Sequence, residues 1–189
     1  MKLLHIDSSL KRDASVSRKL TQKIVEKIES HYPKVEIQYV DLDVNFIPHL
    51  GSLEVIDEDR KLSEDSQRTL KQFLWADVVV LGAPMYNFSI PSTLKAWIDR
   101  IAVKEHTFRY TPQGPEGLVG DKKVIIALSY GGKHDNEKSD FVRPYLMHTF
   151  DFFGISNPTF ILAEGLDISE ESRKIAVEGA LKSISTLAF

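Results

Sequence analysis

The first side chains in this sequence that could do chemistry are serine hydroxyls, which follow a short apolar run at residues 3–6. Ser9, Ser15 and Ser17 lie close together, and the segment from 8 to 17 contains no glycine. Dinucleotide fingerprints and P-loops both need glycines at such a position. Hydroxyls and free amides at the start of a helix instead suit one compact phosphate group. In the alternative interpretation, Ser15 only caps the helix and the other serines fill a loop.

The second segment of interest, residues 82–91, is too apolar for an ordinary solvent-exposed loop. It contains Met85, Tyr86, Asn87 and Phe88 in succession. Such side chains can cover a planar apolar ring, while Asn87 and backbone groups satisfy the polar atoms of that ring. Alternatively, the loop packs back onto the core or against a second subunit.

The third segment contains Ser129, Tyr130, Gly131 and Gly132. Paired glycines allow the backbone to approach a ligand closely, although they also serve any tight turn. A hydroxyl loop, an apolar-aromatic loop and a glycine loop together indicate a phosphorylated, flat aromatic ligand, and FMN fits that description.

The elements that must position these loops are five strand–helix units. The predicted strands are 3–6, 35–39, 77–82, 124–128 and 159–163, the predicted helices are 15–30, 63–75, 92–103, 139–153 and a last one capped by Ser169, and 107–117 is predicted to form a hairpin. The last helix is expected to bury Val177, Leu181, Ile184 and Ala188. The acidic run from 54 to 65 is expected to be a surface loop and helix start.

Hydrophobic patterning within the strands predicts their order. Residues 35–39 alternate between apolar and polar, which is typical of an edge strand, whereas 78–81 and 124–128 are continuous apolar runs that suit central parallel strands. We therefore predict an α/β fold of the flavodoxin-like type. It is a three-layer sandwich with a five-stranded parallel sheet in the order 2-1-3-4-5. Ligands of such sheets bind at the carboxyl ends of the strands, where the three loops begin.

Composition narrows the function further. The chain has 189 residues, a formal net charge of −3 and no cysteine. We expect one domain over 1–189, no binding to nucleic acid or membranes, and no thiolate chemistry or cysteine-ligated metal. No apolar run is long enough for a signal peptide or a membrane span, so a cytoplasmic location is expected. His106, His134 and His148 are scattered without a metal-ligand spacing, and we expect no metal site.

At these same loops the sequence resembles the FMN-dependent NADH-azoreductases, also described as NADH:quinone oxidoreductases. The resemblance runs nearly end to end. Its most specific parts are residues 83–91, 94–99, 107–111, the Gly114-Pro115 and Gly117-Leu118 pairs, the serines at 15 and 17, and the turn 129–132.

The resemblance implies a homodimer with one FMN per subunit. NADH, favoured over NADPH, reduces the flavin, which then reduces quinones or cleaves azo compounds. Ser9, Ser15, Val16 and Ser17 correspond to the phosphate-binding positions. Residues 85–88 and 129–132 correspond to those that hold the ribityl chain and ring, and Phe152 to one that lines the substrate pocket. Two positions depart from the family pattern: Tyr130 stands where arginine is frequent, and residues 104–106 lack a glycine.

Because the flavin carries the hydride chemistry, no catalytic side chain is expected. The sequence offers no separate nucleotide fold for NAD(P)H, which predicts ping-pong kinetics over one shared pocket. Two other classes of function stay open, namely an electron carrier of the flavodoxin type and a flavodoxin-fold scaffold without a cofactor.

Overall fold

In a computed structural model of the protein, five parallel strands form one central sheet. The structure describes residues 1–51, 63–120, 122–134 and 138–188. In chain order the elements are β1 Lys2–Asp7, α1 Val16–His31, β2 Glu36–Asp41, α2 Glu64–Trp75, β3 Val78–Pro84, α3 Ser92–Ile101, β4 Phe108–Thr111, β5 Gly114–Gly117, β6 Lys123–Ser129, α4 Val142–Phe152, β7 Thr159–Ala163 and α5 Glu170–Ser185. The sheet has the order β2-β1-β3-β6-β7 with every pair parallel. Counted along this sheet alone, the order is 2-1-3-4-5, which confirms the predicted flavodoxin-like fold.

The alternation of side chains along the strands divides the core into two layers. Leu4, Ile6 and Val79 belong to a cluster that the residues of α2, α3 and α4 complete. Leu3 and Val80 point the other way, into a cluster completed by α1 and α5. Successive residues of a strand face opposite sides of a sheet, so a strand covered on both faces must be apolar throughout. All of β3 is buried, as the run at 78–81 predicts.

Serine caps start three of the helices where the sequence places them. The hydroxyls of Ser15, Ser63 and Ser169 accept the amide hydrogen bonds that open α1, α2 and α5. Of the acidic run from 54 to 65, residues 54–62 lie outside the described residues.

Two helix boundaries differ from the prediction by more than one residue, and so does the inner face of the last helix. The fourth helix begins at Val142 rather than 139, because the carboxylate of Asp140 accepts hydrogen bonds from the amides at 142 and 143 and so caps it. The third helix ends at Ile101 rather than 103, because the Thr107 hydroxyl donates a hydrogen bond of 2.7 Å to the carbonyl of Ile101. The predicted inner face of the last helix was partly wrong: Ala180 and Ile184 are buried, whereas Leu181 and Ala188 are exposed.

The hairpin predicted at 107–117 is confirmed as the antiparallel pair β4–β5. It packs against the end of α4, where the rings of Phe108 and Phe152 lie 4.5 Å apart between centroids. A side chain at Gly117 would place its Cβ 2.0 Å from the amide nitrogen of Gly154, so only glycine permits this contact. None of the helices in the described ranges has the length and apolar character needed to cross a membrane.

Candidate functional site

Three loops meet at the carboxyl edge of the sheet. The last residues of β1, β3 and β6 are in register, with Asp7 beside Gly82 and Pro84 beside Ser129. The loops that follow them enclose a cleft of about 190 Å³. Its lining residues are Ser9, Lys11, Ala14, Val16, Pro84, Met85, Tyr86, Ser129, Gly131, Leu166, Asp167 and Arg173. Six of the twelve predicted cofactor-binding residues are therefore brought together on one surface.

At one corner of the cleft, Ser9 and Val16 line the surface, and the hydroxyls of Ser15 and Ser17 lie at the same helix start without lining it. Ser9, Ser15 and Ser17 are all buried. The Ser15 hydroxyl caps α1 by accepting from the Arg18 amide at 3.2 Å, and it lies 3.1 Å from the Ser17 hydroxyl. Ser15 is thus a helix cap, as the alternative interpretation proposed, but it also orients a second hydroxyl at the same helix end. We refer to Ser9, Ser15, Val16 and Ser17 as the hydroxyl corner.

The start of α1 is electrostatically suited to an anion. The amides of Val16 and Ser17 open the helix and have no acceptor among the described residues. The first turns of α2 and α5 carry two carboxylates each, which neutralise the positive helix end, whereas the first turn of α1 carries none. An external anion such as a phosphate would meet free N–H groups there and no carboxylate in the first turn of the helix.

Two cations and one carboxylate line the cleft close to this corner, and the sequence analysis missed all three. Asp167 lies 3.9 Å from the Lys11 ammonium and 3.8 Å from the Arg173 guanidinium, and all three side chains are well exposed. Lys11 belongs to the first loop, whereas the other two follow β7. The carboxyl end of β7 lies at the same sheet edge as the other strands, which is the signal that could have identified them.

Arg18 fixes the backbone of the first loop. Its guanidinium donates to the Ser9 carbonyl at 2.8 and 3.2 Å, and it forms hydrogen bonds of 2.7 and 2.6 Å with the carboxylate of Asp41. Burial by itself would raise the pKa of Asp41, but the hydrogen bonds and charge of Arg18 outweigh it and hold that pKa below its usual value. The ion pair therefore ties the end of β2 to the loop that carries the hydroxyl corner. We call this pair the Arg18–Asp41 clamp.

The aromatic loop is folded back by a tight turn. Tyr86 and Ser89 exchange backbone hydrogen bonds of 2.9 and 3.0 Å, and the two residues between them have positive φ angles, 50° at Asn87 and 66° at Phe88. Asparagine tolerates this conformation, whereas for a phenylalanine it costs about 1–2 kcal/mol. The Phe88 ring is 59% exposed, so burial within this chain does not offset that strain. Strained, exposed aromatic residues of this kind indicate contact with a ligand or a second subunit.

Tyr86 connects the aromatic loop to the hydroxyl corner. Its hydroxyl accepts from the Leu10 amide at 3.1 Å and lies 3.1 Å from the Ser9 hydroxyl. The Met85 amide in turn donates to the Ser129 carbonyl at 3.0 Å, which joins the aromatic loop to the glycine loop. The three loops therefore form one hydrogen-bonded surface.

The glycine loop presents backbone to the cleft and turns its tyrosine away from it. Gly131 lines the cleft, and a Cβ there would lie 2.5 Å from the carboxylate of Asp167. Tyr130 is fully buried, and its hydroxyl donates to Asp140 at 3.0 Å. Burial, together with the neighbouring carboxylate, raises the pKa of Tyr130 well above its usual range.

Some predicted site residues lie apart from the cleft. Besides Tyr130, five of the predicted cofactor-binding residues are on the same loops but not among its lining residues: Ser15, Ser17, Asn87, Phe88 and Gly132. Phe152 lies at the end of α4, half-buried against the hairpin. In the described part of the chain, no group of three acidic or histidine side chains is arranged to hold a metal ion.

Comparison with known proteins yields a consistent set of similarities. A sequence model for the flavodoxin-like fold matches residues 1–187. The chain is 47% identical to an FMN-dependent NADH:quinone oxidoreductase of Stenotrophomonas maltophilia, covering 97% of this chain and 94% of that protein. It is 45% identical to one of Rhizobium meliloti, covering 98% and 96%.

Solved structures give the same picture. An azoreductase from Bacillus anthracis strain Sterne superposes with a TM-score of 0.85 at 27% identity, covering 99% of this chain and 100% of that one. An FMN-dependent NADH-azoreductase from Bacillus anthracis strain Ames Ancestor, solved in complex with FMN, superposes with a TM-score of 0.85 at 25% identity, covering 100% and 99%.

Proposed function

Since this chain belongs to the flavodoxin-like fold family, we propose that it is an FMN-dependent oxidoreductase that passes electrons from NADH to quinones and azo compounds. One observation carries the proposal: the buried Ser9 and the carboxylate-free start of α1, through Val16, line the same cleft as Met85 and Tyr86 of the apolar-aromatic loop. The names of the relatives and of the structures that superpose on it support the same activity.

The donor groups of the cleft fit FMN. The hydroxyl corner offers hydroxyls and two free amides to the phosphate, and Lys11 and Arg173 line the same cleft. Met85 and Tyr86 supply an apolar surface for the ring system. Backbone groups at Ser129 and Gly131 supply the close approach that polar ring atoms and ribityl hydroxyls need. Tyr130 supports this loop from beneath rather than contacting the cofactor through its side chain.

When bound, FMN accepts a hydride from NADH and delivers two electrons to an acceptor. The part played by the chain is to bind, to orient and to limit access of water. The Arg18–Asp41 clamp holds the first loop in place, and the hydroxyl of Tyr86 joins it to the aromatic loop. We propose that NADH and the acceptor enter the same pocket in turn, which gives ping-pong kinetics.

We also propose that the working unit is a homodimer and that residues 1–189 form one domain. Phe88, Tyr110 and Phe141 are each more than half exposed, and such aromatic surface is favourable to bury in an interface. A second subunit over Phe88 would also offset the strain of its backbone.

The decisive experiment mixes the purified protein with FMN and NADH without oxygen and follows the visible absorbance of the flavin. We expect the flavin to bleach without any added reductase and to regain its colour when a quinone is added. A mixture of FMN and NADH without protein is the control. Flavin that binds but is not bleached would favour the electron carrier, and a protein that binds no flavin would favour the scaffold.

A further inference from the structure

A carboxylate stands between the two cations that line the cleft. Asp167 lies 3.9 Å from the Lys11 ammonium and 3.8 Å from the Arg173 guanidinium. Both separations exceed the usual length of a hydrogen bond, so these are ion pairs held by charge alone. The side chains of Asp167, Lys11 and Arg173 are 60%, 58% and 40% exposed. The activity proposed above has a use for both cations but none for the carboxylate.

Backbone hydrogen bonds fix Asp167 at the cleft. The segment after β7 pairs with the glycine loop, because the Leu166 amide donates to the Tyr130 carbonyl at 3.1 Å and the Asp167 amide donates to the Gly131 carbonyl at 2.9 Å. The carboxylate lies over Gly131, where a Cβ would be 2.5 Å from its oxygen. The negative charge of Asp167 is thus anchored beside the groups that would bind a phosphate.

A phosphate at the hydroxyl corner and the carboxylate of Asp167 require the same two cations. A phosphate oxygen that accepts a hydrogen bond of about 2.8 Å from the Lys11 ammonium would lie within about 7 Å of that carboxylate. This distance is shorter than the Debye length of about 8 Å at physiological ionic strength, so the two anions would repel each other. Each cation that turns to the phosphate would also lose part of its attraction to Asp167.

We propose that Asp167 is a built-in competitor of the cofactor phosphate, and that it limits the affinity for FMN by occupying Lys11 and Arg173 and by repelling the phosphate. This inference rests on the proposed function, because it requires the phosphate of FMN to bind at the hydroxyl corner. The competition acts on the charge of the phosphate, so it discriminates between flavins with and without that group.

The test is Asp167→Asn, which keeps the size of the side chain and removes its charge. The dissociation constants of FMN and riboflavin for the apoprotein are measured by quenching of flavin fluorescence. We expect the variant to bind FMN roughly three- to tenfold more tightly than wild type, as a repulsion across about 7 Å of a water-rich site implies. Riboflavin lacks the phosphate, so its dissociation constant should stay the same. At about 1 M salt, where the Debye length falls to about 3 Å, the gain for FMN should disappear.

Glu26→Gln is the matched control, because it removes one negative charge from an exposed ion pair on α1. Glu26 pairs with Lys23 and is 43% exposed. It lies about 15 Å along the helix from Val16, well beyond the Debye length. We therefore expect neither dissociation constant to change. A gain in FMN affinity equal to that of Asp167→Asn would show that net charge sets the affinity, and it would overturn the inference.

Each result decides the matter. Tighter binding of FMN alone, removed by salt, supports the inference. Unchanged FMN binding in Asp167→Asn would overturn it, as would a gain that riboflavin shares or that salt does not remove. Weaker FMN binding would also overturn it, and would make the carboxylate an acceptor for the ribityl hydroxyls. These contrary results leave the proposed function standing, whereas a wild type that binds no FMN would overturn this inference and the proposed function together.

Discussion

Asp41→Asn should loosen the first loop although it removes no residue that lines the cleft. The carboxylate of Asp41 holds the guanidinium of Arg18 through two short hydrogen bonds, and that guanidinium holds the carbonyl of Ser9. Asparagine keeps the size of the side chain and one acceptor oxygen but loses the charge. Arg18 would then keep its hydrogen bond to the loop while lacking most of its own support.

The expected loss can be estimated from the burial of the pair. The side chains of Arg18 and Asp41 are only 13% and 16% exposed, so they are screened far less than a surface pair. Breaking a fully buried pair costs about 3–5 kcal/mol. The amide oxygen of the substituted asparagine would still accept one hydrogen bond, and Asp7 lies 3.9 Å from the guanidinium, so we expect a loss of about 1–3 kcal/mol of unfolding free energy. If the binding conformation of the first loop is destabilised by about 1 kcal/mol, the affinity for FMN should fall roughly fivefold.

Urea unfolding and flavin titration measure the two effects, with Arg12→Gln as a matched control. That change breaks the nearby pair with Asp43, in which the Arg12 side chain is 72% exposed, and it should cost under about 1 kcal/mol of unfolding free energy.

The lowered pKa of Asp41 adds a pH dependence to the stability. The pair stabilises the fold above the ordinary carboxyl pKa and loses that contribution as the pH falls through the lowered one. Equal stability of Asp41→Asn and wild type near neutral pH would refute the reasoning.

The remaining predictions concern the cofactor, the glycine loop, the assembly and the kinetics. Ser17→Ala should weaken FMN binding by roughly 10- to 150-fold, which corresponds to the loss of one hydrogen bond to a charged group. An unchanged dissociation constant for FMN in Ser9→Ala, Ser15→Ala and Ser17→Ala alike would exclude a phosphate site there. Tyr130→Phe should lower the unfolding free energy by about 1 kcal/mol, because it removes the hydrogen bond to Asp140, while substrate preference stays unchanged; altered preference would show that the hydroxyl reaches the pocket. Sedimentation should give a dimer at micromolar concentration, and a fully active monomer would contradict this. Double-reciprocal plots against NADH should be parallel, whereas intersecting lines would reveal a second nucleotide site.

Much of the fold could be predicted because its strands are governed by burial. The run at 78–81 is apolar at every position, and only a strand covered on both faces needs that pattern. The alternation of apolar and polar residues from 35 to 39 predicts a strand with one exposed face, and β2 does lie at the edge of the sheet. In a parallel sheet of this order, the strands end at one common edge. The sequence could therefore predict that the three loops lie close together there.

The side chains that complete the cleft could not be predicted in the same way. Asp167 and Arg173 line the cleft because β7 ends at the same edge of the sheet. No motif in the neighbouring sequence identifies either residue as part of a site. The inward orientation of Tyr130 depends on Asp140, ten residues away, and no local pattern records that contact. Periodicity predicts that Leu181 is buried, whereas α5 packs through Ala180 and Ile184 and leaves Leu181 38% exposed.

In the hydroxyl corner, one helix start can serve stability and binding together. The Ser15 oxygen accepts from the Arg18 amide and lies 3.1 Å from the Ser17 oxygen, and either hydroxyl of that pair can be the donor. With Ser15 as the donor, the Ser17 proton can be donated to an anion, beside the amides of Val16 and Ser17. In that arrangement Ser15 holds the helix and orients its neighbour, while Ser17 carries the donor. Ser15→Ala should cost more folding stability, about 1 kcal/mol for a lost cap, and Ser17→Ala more cofactor affinity.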